Sequence, residues 1–265
     1  MEHCQCKRDE VIVQKEHQDV VIKAFVKHLV NKKGVPLSIV AWPDEVNGSI
    51  KEIDAIARGN GFKIAIEHTS IDTFQYQRRD DARFTKVFGK IKSQLIGKFS
   101  DRVRLTVPFY AIPTGTNWSD FTDSIKKWIL ENVPALPYGC GKYNVPKIPF
   151  EIQIEKRRSS KPAFLVVRFA PEDNTLVDRL YETINENSQK LVTYKKRDYQ
   201  TILLIENSDI SSMNLGLMEK SVKEALIENL PKGLDEIWYA NTEILADLEF
   251  YLIWPNSDTT GINKT

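Results

Sequence analysis

Residues 51–69, KEIDAIARGNGFKIAIEHT, constrain the fold more tightly than any other stretch of the chain. Ile53, Ala55 and Ala57 alternate with other residues before Gly59-Asn60-Gly61, and Ile64 and Ile66 alternate after it. Alternation is the period of a strand, and Asn-Gly supplies the two positive-φ positions that a two-residue hairpin turn needs. With Asn60 and Gly61 as the loop, Gly59 pairs with Phe62, and counting outward sets Asp54 opposite Glu67. Like charges directly opposite one another destabilise a sheet. The pair therefore needs something to offset the repulsion. A divalent cation is the simplest candidate, because Mg²⁺ takes oxygen ligands and few of them from protein. Three alternatives stand beside it. A three-residue loop would shift the register by one and send Asp54 and Glu67 to opposite faces. One acid could be protonated, or either could pair with Arg58 or Lys63.

The chain has 265 residues and a net charge of +1, enough length for one large domain or two small ones. Near-neutral charge means that any nucleic-acid surface must be local rather than global. No apolar run approaches membrane-spanning length, so no membrane partner is expected. The start, MEHCQCKRDE, is polar and charged, which argues against a secretory signal. Cys4, Cys6 and Cys140 are an odd count, which fits free thiols in a reducing compartment. A cytoplasmic location follows as the expectation. His3, Cys4, Cys6 and His17 match no zinc-ligand spacing, and a frayed terminus is expected there instead. The signatures of P-loop nucleotide hydrolysis, dinucleotide binding, α/β-hydrolases and zinc proteases are all missing from the sequence.

Periodicity divides the rest. Residues 11–32 read as an amphipathic helix ended by Lys32-Lys33-Gly34. Residues 37–42 read as a strand, and Asn47-Gly48-Ser49 as part of the turn before the hairpin. A second helix is expected over 83–99, a strand over 103–112, and a third helix over 119–132 with Ser119 or Asp120 as its cap. Residues 133–149 carry four prolines and two glycines and read as an internal connection or a long functional loop. Strands follow at 150–155 and 163–169, joined by the basic turn from Lys156 to Lys161. A helix over 174–193 leads to Thr201–Ile205, a continuous apolar run typical of a strand covered on both faces. A helix over 215–229 and strands at 235–240 and 248–254 complete an α/β chain. The expected division is a core over 1–132, the connection over 133–149, and an α/β part over 150–265 that extends the same sheet or forms a separate lobe.

The order α-β-β-β-α-β over residues 11–112, with Asp54 and with Glu67 in Glu67-His68-Thr69, resembles the PD-(D/E)XK nuclease superfamily, the restriction-endonuclease-like fold. The resemblance covers under half the chain. It implies a mixed central sheet and Mg²⁺- or Mn²⁺-dependent hydrolysis of phosphodiesters, most simply as a DNA endonuclease of restriction or defence type. Asp54 and Glu67 would be metal ligands, and Glu16 on the first helix resembles the helical glutamate that many members add. Such chemistry needs charge neutralisation at phosphorus and an activated water, and a carboxylate-bound metal ion supplies both. The family's lysine two residues after the second acid is Thr69 here. Lys63, on the strand and face of Glu67, and Lys90 or Gln94 on the expected next helix are the candidates for the lysine role. Without a lysine the pattern also fits a nuclease-like domain that binds nucleic acid or a protein partner without cutting. Double-strand cutters of this fold commonly pair, so a homodimer is within the resemblance.

The remaining features have structural readings beside functional ones. Pro43-Asp44 spells the family's first motif but falls in a turn. His68 points away from Glu67 and reads as a packed histidine. Arg78, Arg79, Lys86, Lys90, Lys92 and Lys98 either line a backbone-binding surface or form a solvated helix face. Lys156-Arg157-Arg158 and Lys195-Lys196-Arg197 invite the same choice, and Tyr194 and Tyr199 either stack on bases or anchor a turn.

Overall fold

The computed structural model describes residues 2–46, 52–169, 171, 173–209, 213–227 and 231–255, with side chains from Lys15 onward and without that of Val46. The turn expected at Asn47-Gly48-Ser49 lies outside the described residues, as do the side chains of His3, Cys4 and Cys6. The chain begins with α1 (Glu2–Lys33), whose Val21, Ile22, Phe25, Val26 and Leu29 recur at helical spacing and are all buried. Gly34, at φ 65°, turns the chain out of the helix into β1 (Ser38–Ala41), followed by the single-turn helix α2 (Pro43–Val46). The hairpin is β2 (Ala55–Gly59) and β3 (Phe62–Ser70). Gly59 pairs with Phe62 across Asn60 and Gly61, which sit at φ 44° and 83° as a two-residue loop requires. Gly59 meets a second demand, since a Cβ there would lie 1.9 Å from the carbonyl oxygen of Pro36.

After β3 the chain leaves this sheet. Residues Phe74–Asp173 form a compact unit of their own, and Asn174–Thr265 rejoin Met1–Thr73 in the first unit. The inserted unit holds α3 (Gln77–Phe84), a π-helical turn (Thr85–Gly89), α4 (Lys90–Leu95), β4 (Arg102–Val107), α5 (Trp118–Asn132), a 3₁₀ turn (Val133–Ala135), β5 (Gly139–Asn144), β6 (Glu151–Arg157) and β7 (Ala163–Arg168). The first unit resumes with α6 (Leu176–Lys195), β8 (Gln200–Asn207), α7 (Leu215–Ala225), β9 (Glu236–Asn241) and β10 (Glu249–Trp254). The exit and return of the chain are tied together: the Arg179 guanidinium donates to the carbonyls of Asp72 and Thr73 at 2.7 and 2.9 Å, and Asn207 Nδ2 donates to Ile71 O at 2.7 Å.

The protein is α/β with mixed sheets. The first unit has a six-stranded sheet in the order β1-β2-β3-β8-β9-β10. β3, β8 and β9 run parallel and the outer pairs antiparallel. A parallel neighbour cannot follow by a hairpin, so β3 and β8 need a crossover, and α6 supplies it. One face packs under α1, with Ala55, Ala57, Ile64, Ile66, Ile202 and Leu204. The other packs under α6 and α7, with Ala65, Leu203, Ile205 and Ile237. β8 is buried on both faces, as its continuous apolar run requires. The inserted unit has a four-stranded sheet, β5-β6-β4-β7. Its helices cover one face through Val103, Leu105, Ile152, Ile154 and Phe164.

Several expectations are corrected. Residues 83–112 are not the continuation of the first sheet but part of the inserted unit, so the expected division at 132 and 150 is replaced by one at 73/74 and 173/174. Residues 133–149 are not a connection, because they hold a 3₁₀ turn and β5. The helix expected over 83–99 begins earlier and is interrupted by a π-helical turn. β4 stops before Pro108, which has no N–H to donate. The cap of α5 is Asn117, whose Oδ1 accepts from the Ser119 and Asp120 amides at 3.2 and 3.5 Å.

Candidate functional site

The hairpin ladder ends at the pair Ala55–Ile66. The next step outward brings Asp54, just ahead of β2, to Glu67 on β3. Both point to the face under α6 and α7, the side to which Ala65 and Ile56 also contribute. Asp54 Oδ2 accepts a hydrogen bond from the His68 amide at 2.6 Å, which fixes its carboxylate beside the strand. Glu67 is 1% exposed, and Asp54 stands close enough to share a hydrogen bond with it. Burial, and after it the charge of Asp54, push Glu67 up to about 8, against the opposing pull of Lys190. Asp44 on α2 is raised as well, by burial and then by the charge of Asp54. The Asp of the literal Pro43-Asp44 motif therefore belongs to the same electrostatic neighbourhood.

Lys190, on α6, is the residue that sequence reasoning missed. Its ammonium donates to Glu67 Oε1. Lys190 is on the crossover helix that links β3 to β8, and that helix lies over the face carrying Glu67. The other carboxylate oxygen, Glu67 Oε2, is buried without a hydrogen-bond partner. A buried carboxylate oxygen that no donor satisfies is costly. It calls for either a proton or a cation at that point.

The remaining residues named from the sequence fall elsewhere. Lys63 lies four positions nearer the turn, roughly 13 Å along the strand from Glu67. It is exposed and its ammonium sits 5.9 Å from the ring of Tyr199. Thr69 is half-buried, two positions beyond Glu67, and brings no charge. Glu16 is exposed on α1, which packs on the face opposite Asp54 and Glu67, so the expected three-acid ligand set does not form. Among the described residues no three His, Cys, Asp or Glu side chains converge as a metal-ligand group. The site is a carboxylate pair with a lysine. Lys90 and Gln94 belong to the inserted unit. Tyr194 anchors the end of α6, donating to Glu52 at 2.7 Å and packing edge-on against Tyr199.

Behind the pair, on the α1 face, lies a second polar cluster that the sequence did not reveal. Glu206 Oε2 on β8 lies 3.1 Å from His17 Nε2 and 3.2 Å from His68 Nε2. Burial alone would raise Glu206, but the two imidazoles outweigh it and hold the carboxyl below its ordinary value. His68 thus links the layers: its amide positions Asp54 on one face while its ring meets Glu206 on the other. The expectation of a packed histidine pointing away from Glu67 matches this arrangement.

Comparison of the chain with protein-family models, with curated proteins and with solved structures finds no match.

Proposed function

We propose that this protein is a metal-dependent nuclease of restriction-endonuclease-like design, acting on DNA, with Asp54 and Glu67 as the metal-binding carboxylates and Lys190 in the lysine role that Thr69 cannot fill. The observation that carries the reading is the Lys190–Glu67 ion pair, in which a helix supplies the cation that the strand lacks. The element order supports it too: apart from the single-turn α2 between β1 and β2 and the insertion between β3 and α6, α1-β1-β2-β3-α6-β8 has the sequence of helix, three antiparallel strands, helix and parallel strand that the resemblance implies.

The residues fit a hard cation. Two adjacent carboxylates, one of them with an unpartnered buried oxygen, form an oxygen-only site of the kind Mg²⁺ or Mn²⁺ takes with few protein ligands. When bound, such an ion supplies Lewis-acid polarisation of phosphate and lowers the pKa of a water. The chain's own contributions are separate. The Asp54 carboxylate is held in place by the His68 amide. Lys190 places one positive charge at Glu67, where it can also face the negative charge that develops at phosphorus. Burial of Glu67 keeps the local dielectric low, which strengthens each of these interactions.

The test is cleavage of plasmid, linear duplex, single-stranded DNA and RNA by the full chain in Mg²⁺ or Mn²⁺. The expected result is cleavage of DNA that falls by at least about 10²-fold in Asp54→Asn and in Glu67→Gln. Equal cleavage by the variants, or none by the wild type with any substrate, would overturn the enzymatic reading. DNA binding without cleavage would leave the domain as a binder that does not cut.

A further inference from the structure

We infer that the inserted unit, Phe74–Asp173, is a nucleic-acid backbone-binding module, and that its contact surface is the helical ridge running from α3 through the π-helical turn to α4 and Lys98. The inference rests on the nuclease reading only for the choice of nucleic acid as the polyanion; the surface itself follows from charge and packing.

Charge is segregated along the chain. Residues 74–173 contain 18 Lys and Arg against 10 Asp and Glu, a net charge of +8. The remainder, which carries Asp54 and Glu67, has 19 against 26, a net charge of −7. A unit that is negative overall and presents a carboxylate pair repels a polyanion. The cations needed to hold one are concentrated in the insertion. In chain order the insertion follows the strand that bears Glu67 and precedes the helix that bears Lys190, so a polymer held by it is bound by the same chain that carries the carboxylate pair.

Within the insertion the positive charge is focused further. The two acids of the ridge are neutralised: Asp80 is buried, Asp81 is partly exposed, and Arg168 pairs with both. Arg79, Lys86, Lys90, Lys92 and Lys98 are exposed, and among the described residues none of them is ion-paired to an acid. Lys86 lies 4.0 Å over the Trp118 ring and Arg79 lies 4.2 Å over the Tyr76 ring, contacts that hold each cation without neutralising it. On the opposite sheet face two cations are ion-paired, Arg104 to Glu155 and Lys142 to Glu151. Lys156, within the basic run noted in the sequence, is buried and spends its ammonium on the carbonyls of Val133, Pro134 and Leu136. Residues 77–95 span about 28 Å at 1.5 Å per residue, long enough for several phosphates of one strand. The apolar side of the ridge, Val87, Phe88, Ile91 and Leu95, is committed to the unit's core, so it is not available for insertion into a bilayer. Nucleic acid is the polyanion that fits.

The experiment is fluorescence anisotropy of the full chain with a labelled DNA duplex in chelator, across a salt series, with anionic phospholipid vesicles run in parallel. Lys86→Gln/Lys90→Gln is compared with Arg104→Gln/Lys142→Gln, which removes the same charge from the opposite face. The expected result is a loss of about ten-fold in affinity and a salt slope lower by about two for the ridge variant, with the control near wild type. Equal losses in the two variants, no duplex binding by the wild type, or binding to vesicles in place of duplex would overturn the proposal. Unchanged thermal stability of both variants certifies the comparison, and if the ridge pair lowers it, Lys90→Gln and Lys92→Gln singly provide the same slope readout. The absence of metal separates this test from the site: failure here, with a Mn²⁺-stabilised site intact, would leave the nuclease reading standing and sink only the ridge.

Discussion

If the protein cleaves DNA as proposed, Lys190→Met is expected to reduce that cleavage by about 10²–10³-fold, the loss that follows removal of one positioned electrostatic donor. Methionine keeps the length and apolar stem of lysine, so the packing of α6 over the sheet is preserved. What disappears is the cation paired with Glu67. Glu67 is already pushed up to about 8 with Lys190 in place. Without the lysine the carboxyl moves further up and stays protonated at neutral pH, so the folded state loses little there. At alkaline pH the charge must be buried uncompensated, at a cost of about 3–5 kcal/mol. Urea denaturation at neutral and alkaline pH, beside a cleavage assay at each, separates the two effects. Lys190→Arg keeps the charge and is expected to recover the alkaline stability.

Glu67→Gln produces the second large effect, on the pH dependence of stability. Between the ordinary carboxylate value of 4.5 and about 8 the folded protein holds a proton on Glu67 that the unfolded chain releases. Stability therefore falls as pH rises through this window, by up to about 1.4 kcal/mol per pH unit. Below the window both states are protonated, and above it both are ionised, so the slope from this group vanishes at each end. Glutamine does not titrate. The variant is expected to lose that slope and to exceed the wild type in stability near pH 8, measured by denaturant unfolding at stepped pH. A metal ion held by this pair as proposed would have to displace the same proton, so its apparent affinity for the wild type is expected to rise with pH over the same range.

The hairpin was legible because its information is local. Asn60-Gly61 dictates the turn, the turn dictates the register, and the register sets Asp54 beside Glu67. The insertion was not legible, because the pairing of β3 with β8 joins residues more than a hundred positions apart and no linker composition marks Thr73–Phe74 or Asp173–Asn174. Counting along the chain then selected the helix and strand that came next, rather than those that pack next. Two signals were available. Ile202–Ile205 is apolar throughout, the mark of a central parallel strand, and a right-handed crossover would put the helix before it over the sheet. That helix carries Lys190. The change in charge balance between residues 74–173 and the rest was the second signal. Glu16 failed for a simpler reason: its helix covers the other face, where His17 rather than Glu16 meets the sheet.

The central claim is that Asp54 and Glu67 form one cation site. It is tested most directly by thermal unfolding of the wild type and of Asp54→Asn/Glu67→Gln, each titrated with Mn²⁺. A ligand that binds only the folded state adds about 2.7 kcal/mol at a hundred times its Kd, which corresponds to roughly 5–10 °C for a unit of this size. The account predicts that rise for the wild type and none for the double variant, which should itself be at least as stable as the metal-free wild type. A rise of equal size in both proteins, or none in either, would contradict it.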